Sequence, residues 1–226
     1  TINPLDELLP SINKFNIRTN KAVIATSGMQ ADQKALHKLL ATRIKSYDYV
    51  HRKKMSTPAI AQMLANTLYY KRFFPYYTFN VLGGIDEQGK FQQSGRHVQQ
   101  EILGKGCVYS YDAVGSYERV AYSTSGSGAE LIQPLLDNQV VLMNDMNTMQ
   151  NSQLETNPYL IVLSLGCSKK PDRQRSNHPV IEGDVELVKD ALSSAAERDI
   201  YTGDAAEIYI ITQDGITKED FELKHD

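Results

Sequence analysis

Cysteine is nearly absent: Cys107 and Cys167 are the only two in 226 residues. Two thiols cannot build the disulfide framework of a small secreted scaffold, and they fit a reducing compartment. Glycine and proline are sparse as well, at 14 and 8 residues beside 41% hydrophobic ones. Neither charge sign dominates, since 24 Lys+Arg face 27 Asp+Glu for a formal net charge of -3. That balance removes the general electrostatic reason to bind nucleic acid. Long apolar runs are missing too. The strongest uncharged one, Tyr159 to Cys167 (YLIVLSLGC), falls far short of the roughly 20 residues a membrane helix needs, so no membrane span is expected. Thr1 to Glu7 has neither a basic region nor an apolar core, which argues against a secretory signal. An initiator Met is also lacking, which points to processing or to an incomplete sequence. No Walker loop, GxGxxG, HExxH or CxxC pair occurs, and the histidines at 37, 51, 97, 178 and 225 show no ligand spacing. Neither a metal nor a cofactor is therefore expected. A single globular domain over 1-226 remains, long enough to bury roughly 70% of its unfolded surface without a disulfide or metal.

The residues present alternate between two periods. Lys21 to Gly28 is a short apolar run ended by glycine and reads as a buried strand. From Met29 to Tyr49, Leu36, Leu39, Leu40 and Ile44 recur at helical spacing. Ser56-Thr57-Pro58 offers an N-cap and a first-turn proline for a second helix carrying Ile60, Met63, Leu64 and Leu68 and ending near Pro75. Then Tyr77, Phe79 and Val81 alternate with Thr78, Asn80 and Leu82, a strand that Gly83-Gly84 closes. Cys107 to Tyr111 and Tyr117 to Ser123 are two further strands. Ser125-Gly-Ser-Gly128 opens a third helix with Leu131, Ile132, Leu135 and Leu136, in which Pro134 is a source of strain. A fourth helix from Gly183 to Asp199 aligns Val185, Val188, Leu192, Ala195 and Ala196. A hairpin ends the chain: Ile208 to Ile211, a turn at Asp214-Gly215, and a strand with Phe221 and Leu223. Strands and helices come in blocks, which suits an α+β architecture better than a doubly wound sheet.

Four stretches invite a functional reading. The polar segment 91-105 interrupts what would be a short hairpin and is flanked by Gly89-Lys90 and Gly104-Lys105. The segment 144-179 holds the charged run Ser168 to Arg175 and reads as solvated or disordered. Both are expected to be insertions. The Gly126-Ser127-Gly128 loop could meet an anion with backbone N–H groups, although a plain N-cap is the simpler reading. Lys71-Arg-Phe-Phe-Pro-Tyr-Tyr77 could mimic a base-stacking platform, but aromatic core or subunit contact is the stronger expectation for Phe73 and Phe74.

Several of these strings combine into something more specific. Tyr109 to Arg119 (YSYDAVGSYER), the Gly-Ser-Gly loop, Leu135 to Gln139 (LLDNQ), Ser194 to Asp204 (SAAERDIYTGD) and Lys71 to Tyr77 together resemble the beta-type subunits of the proteasome core particle. Among these, the resemblance is to the non-catalytic subunit at the sixth ring position. It covers 22-28, 63-90, 106-141 and 182-226. What it implies is an N-terminal-nucleophile hydrolase fold with two antiparallel sheets sandwiched between helix layers. It also implies stacked rings shared with alpha and beta subunits, ubiquitin-linked protein degradation, and the cytoplasm and nucleus as location. In active members an N-terminal threonine hydroxyl attacks the peptide carbonyl with its own amine as base, beside a lysine, an oxyanion glycine and an orienting Ser/Asp set. Carried over, Thr1 would be the nucleophile, Gly28 matches the oxyanion glycine, Ser127 the serine of the Gly-Ser-Gly loop, and Asp199 the aspartate. Thr202 replaces the serine near it.

Departures from that pattern decide the expected function. The N-terminal hairpin of active members is not legible: Pro4, Pro10 and Asp6-Glu7 follow Thr1 and argue against a central strand. At the lysine position stands either Asn13 or Lys14, and both stay open. The expectation is a structural subunit without chemistry of its own, the alternative being a threonine-type endopeptidase that uses Thr1.

Overall fold

A computed structural model describes residues 22–86, 105–150, 160–164, 179–212 and 215–223; at 105, 140–150, 160–164 and 179–182 it describes the backbone alone. Thr1, Asn13, Lys14, the polar stretch up to Gly104 and the run Ser168 to Arg175 lie outside the described residues.

Strand β1 (Ala22–Gly28) leads into helix α1 (Gln30–His51) and, after a left-handed residue at Arg52, into α2 (Thr57–Tyr70). β2 (Thr78–Asp86), β3 (Lys105–Tyr111) and β4 (Tyr117–Val120) then complete a four-stranded antiparallel sheet in the order β1-β2-β3-β4. Helix α3 (Ala129–Gln150), strand β5 (Leu160–Ser164), helix α4 (Pro179–Ala196) and the hairpin β6 (Ala205–Ile211) and β7 (Ile216–Glu222) follow. The last three strands form a second antiparallel sheet, β5-β6-β7.

The alternation of side chains along β1 explains the layering. Ala22 and Ile24 face α1 and α2, packing with Leu36, Leu40, Leu64 and Leu68. Val23 and Ala25 face the other way, joining Val81, Ile85 and Val108 against Tyr209 and Ile211 of β6. A strand covered on both faces reads as a continuous apolar run, as β1 does. On the far side, Ile208, Ile210 and Leu223 pack under Ile132 and Leu136 of α3 and Val185, Val188 and Leu192 of α4. Three apolar layers between four structural ones make an αββα sandwich, the N-terminal-nucleophile hydrolase architecture. Among the described residues no helix is long and apolar enough to cross a membrane.

Several expectations change. At the start of β2, Thr78 and Asn80 are buried, at 0% and 1% exposure, while Phe79 faces outward. The polar face is stable inside because it is hydrogen-bonded. Thr26 Oγ1 donates to Asn80 Oδ1 at 2.9 Å, Asn80 Nδ2 donates to Thr78 Oγ1 at 3.2 Å, and His37 Nε2 lies 2.7 Å from Thr26 Oγ1. The Thr26 proton is spent on Asn80, so His37 Nε2 is the donor. β2 also runs through Gly83-Gly84 rather than ending there, since both glycines pair with β1 and β3. Phe73 and Phe74 are not in the core: they are 94% and 87% exposed in the turn after α2, which ends at Tyr70 rather than near Pro75. The stretch 144–179 is not simply a loop. α3 continues to Gln150, and Leu160–Ser164 pairs in register with Glu207 to Ile211. Ser56 makes no side-chain cap; Thr57 Oγ1 instead donates to the Ile85 carbonyl, tying α2 to β2. Pro134 sits inside α3.

Candidate functional site

Three chain segments meet at one end of the sandwich. One is the end of β1, where Ser27 lies on the face shared with Val23 and Ala25. The second is the 123–128 loop ahead of α3, and the third is the loop from Glu197 to Asp204 that joins α4 to β6. Gly28 closes β1 at φ +110°. Its conformation is one that side-chain-bearing residues rarely adopt, and a Cβ there would lie 2.4 Å from the Tyr77 carbonyl oxygen. The backbone path into α1 is then secured by Met29 N–H on Tyr77 O (2.8 Å) and by Gln33 Nε2 on Gly28 O (3.0 Å).

The first and second segments are joined by the Ser27 and Ser125 hydroxyls, 2.7 Å apart. Gly126, at φ +109°, follows Ser125 and would put a Cβ 3.9 Å from Ser27 Cβ. The second and third segments meet at Asp199. Ser127 Oγ donates to Asp199 Oδ2 at 2.6 Å, Thr202 Oγ1 donates to the same oxygen at 2.7 Å, and Tyr201 N–H donates to Oδ1 at 3.0 Å. The bond from Ser127 comes first among the causes, with those from Thr202 and Tyr201 N–H, that hold the Asp199 carboxyl below the usual carboxylate range. The Asp199 N–H caps α4 through the Ala195 carbonyl at 2.8 Å.

These bonds define what the site can do. Ser127 has committed its one proton to Asp199, so it meets any ligand as an acceptor. An amine or ammonium suits its side chain. Ser127, Asp199 and Thr202 are thus assembled into one cluster, with Gly28 linked to it through the Ser27 and Ser125 tie. Thr1, Asn13 and Lys14 lie outside the described residues. Among the described residues, no lysine or arginine pairs with Asp199, and no group of three His, Cys, Asp or Glu side chains could hold a metal ion.

Sequence reasoning missed Ser27 and Ser125. The signal present was the recurrence of Ser-Gly, at Ser27-Gly28 and Ser125-Gly126, in two segments that each precede a helix. It missed the His37 network as well, because Thr26, His37 and Asn80 are 11 and 54 positions apart and only the strand register aligns them.

Comparison with known proteins agrees with this geometry. Residues 8–94 match the family model described as Proteasome subunit. The chain is 46% identical to Proteasome subunit beta type-1 of Arabidopsis thaliana, over 95% of this chain and 79% of that relative. It is likewise 46% identical to the beta type-1 subunit of Dictyostelium discoideum, over 92% of this chain and 71% of the relative. To Proteasome subunit beta type-6 of Saccharomyces cerevisiae it is 38% identical, over 90% and 71%. With a sandwich of two antiparallel sheets between helix layers and the Ser127, Asp199 and Thr202 cluster in place, the chain belongs to the proteasome subunit family, as a beta subunit of the core particle.

Proposed function

We propose that this chain is a non-catalytic structural beta subunit of the proteasome core particle, one that shapes the ring and supports neighbouring catalytic subunits. Its setting in this reading is ubiquitin-linked protein degradation in the cytoplasm and nucleus, with other alpha and beta subunits as partners. The observation that carries the reading is the closed state of the Asp199 cluster. Oδ2 accepts from Ser127 and Thr202 and Oδ1 from the Tyr201 N–H. A threonine nucleophile needs a nearby cation to depress the pKa of its amine and hydroxyl. The cluster as built ties the start of α3 to the end of α4, with the Ser127 and Thr202 hydroxyl protons committed to Asp199. Pro4 and Pro10 support the same conclusion, since two prolines within ten residues of Thr1 oppose the rigid central strand that would aim it.

Replacing Thr1 by Ala in the assembled particle tests this reading. Peptide hydrolysis by the particle should stay unchanged for every class of cleaved bond. Selective loss of one cleavage class would assign it to Thr1 and make the chain a threonine-type endopeptidase.

A further inference from the structure

The outer face of the α1/α2 layer is unlike the rest of the surface. No Asp or Glu occurs between Asp48 and Asp86, whereas Arg52, Lys53, Lys54, Lys71 and Arg72 all do, and all five are exposed. Residues 22–86 carry nine Lys or Arg against three Asp or Glu; residues 183–212 and 215–223, on the opposite side of the sandwich, carry three against ten. The balance of the whole chain therefore conceals two oppositely charged faces.

At the end of α2 the basic face carries large apolar side chains. Tyr69 is 63% exposed and Tyr70 83%, and Phe73 and Phe74 follow within four residues. This is a built turn: Lys71 N–H bonds the Leu68 carbonyl, Arg72 N–H that of Tyr69 and Phe74 N–H that of Lys71, at 2.9 to 3.0 Å. Arg72 stands 5.7 Å from the Phe73 ring centroid and Lys71 stands 5.9 Å from that of Tyr76. Rigid exposed aromatics beside arginine are the usual anchors of protein interfaces, because they bury much area for little conformational entropy. Contiguous exposure of this kind marks a contact surface.

We propose that this aromatic turn, with the basic α1/α2 face around it, docks on a different subunit that presents an apolar pocket rimmed by Asp and Glu. The proposal rests on the reading that the chain resides in the core particle. Charge complementarity selects the rim: of the five exposed cations Lys54 pairs with Asp48, whereas Lys71 and Arg72 flank the aromatics and pair with no acid among the described residues. A second copy would also offer an acidic face, its own 183–212 and 215–223 side. That contact would join two different faces head to tail and would propagate unless it closed into a ring of identical chains, so a different subunit is the occupant we assign.

The full chain is assembled into the particle in three forms: unsubstituted, Phe73→Ser with Phe74→Ser, and Lys71→Glu with Arg72→Glu. Incorporation is read by native gel and sedimentation, and thermal unfolding is measured alongside. Because all four side chains are exposed, unfolding should move by no more than about a degree or two. Incorporation should fall about tenfold or more in both variants. A benzophenone side chain at position 74 should crosslink to an Asp- or Glu-rich segment of another subunit. Undiminished incorporation of both variants would overturn the proposal while leaving residence in the particle intact. Crosslinking to a second copy of this chain would overturn the assigned occupant. Failure of the unsubstituted chain to incorporate would overturn the residence reading and the proposal with it.

Discussion

Gly28 holds the end of β1 at φ +110°, with Tyr77 O so close that a Cβ would stand 2.4 Å away. Gly28→Ala adds left-handed strain to a backbone clash and should destabilise the chain by at least about 2 kcal/mol. Gly215→Ala, where φ is +149° and nothing lies within 4 Å, should cost less, and urea unfolding of the two variants checks the order. His37 makes a second single-residue claim. Burial lowers its imidazole from 6.5 to about 4, because a charge in the layer between α1 and β1 would lose its hydration. Below pH 6.5 the unfolded chain takes up a proton that the native chain refuses, so stability is full above 6.5 and falls as pH drops toward 4. The loss should be about 2 kcal/mol by pH 5. In His37→Gln that slope should disappear; an equal slope in both chains would mean His37 titrates normally in the folded state.

Between elements, the interrupted hairpin is the clearest case. β2 and β3 stay paired down to Asp86 and Lys105, so the ends of the polar stretch are already side by side. Removing 91–105 would place Lys90 in the position of Lys105 and leave Glu87-Gln-Gly89 as a three-residue connection with glycine last, a common hairpin form. Stability should be unchanged or rise by a few tenths of a kcal/mol; failure to fold would show that the stretch is part of the packed core. Legibility in the sequence followed coverage. β1, α1, α2 and the β6/β7 hairpin were readable because one-sided or two-sided burial leaves a periodic apolar trace, as with Leu36, Leu40 and Ile44. The end of β2 was misread because Gly83-Gly84 looks like a turn, whereas both glycines are paired on either side, with β1 and β3. β5 was missed because the apolar run that holds it, Tyr159 to Cys167, lies inside a stretch read whole as a solvated insertion from the charged run Ser168 to Arg175. Ser127, Asp199 and Thr202 were found through shared strings. Ser27 and Ser125 share only a Ser-Gly step, and their contact emerges when the end of β1 meets the loop ahead of α3.

At the scale of the whole molecule, two features support the proposed structural role: a cluster whose hydroxyl protons are committed to Asp199, and a surface that is basic and aromatic around the α1/α2 layer and acidic around α4 and the β6/β7 hairpin. Both suit a part that fits between neighbours better than one that turns over substrate. Buried Cys107, with its thiol pushed up to about 11 chiefly by desolvation, fits the same picture, since a protonated buried thiol is inert. The central claim, that Thr1 performs no attack, has a direct chemical test. An epoxyketone joins both the hydroxyl and the amine of a working N-terminal threonine. Incubating the assembled particle with such a probe and weighing each chain by mass spectrometry should show adducts on other beta subunits and this chain at its unmodified mass. A stoichiometric adduct on Thr1 would contradict the account.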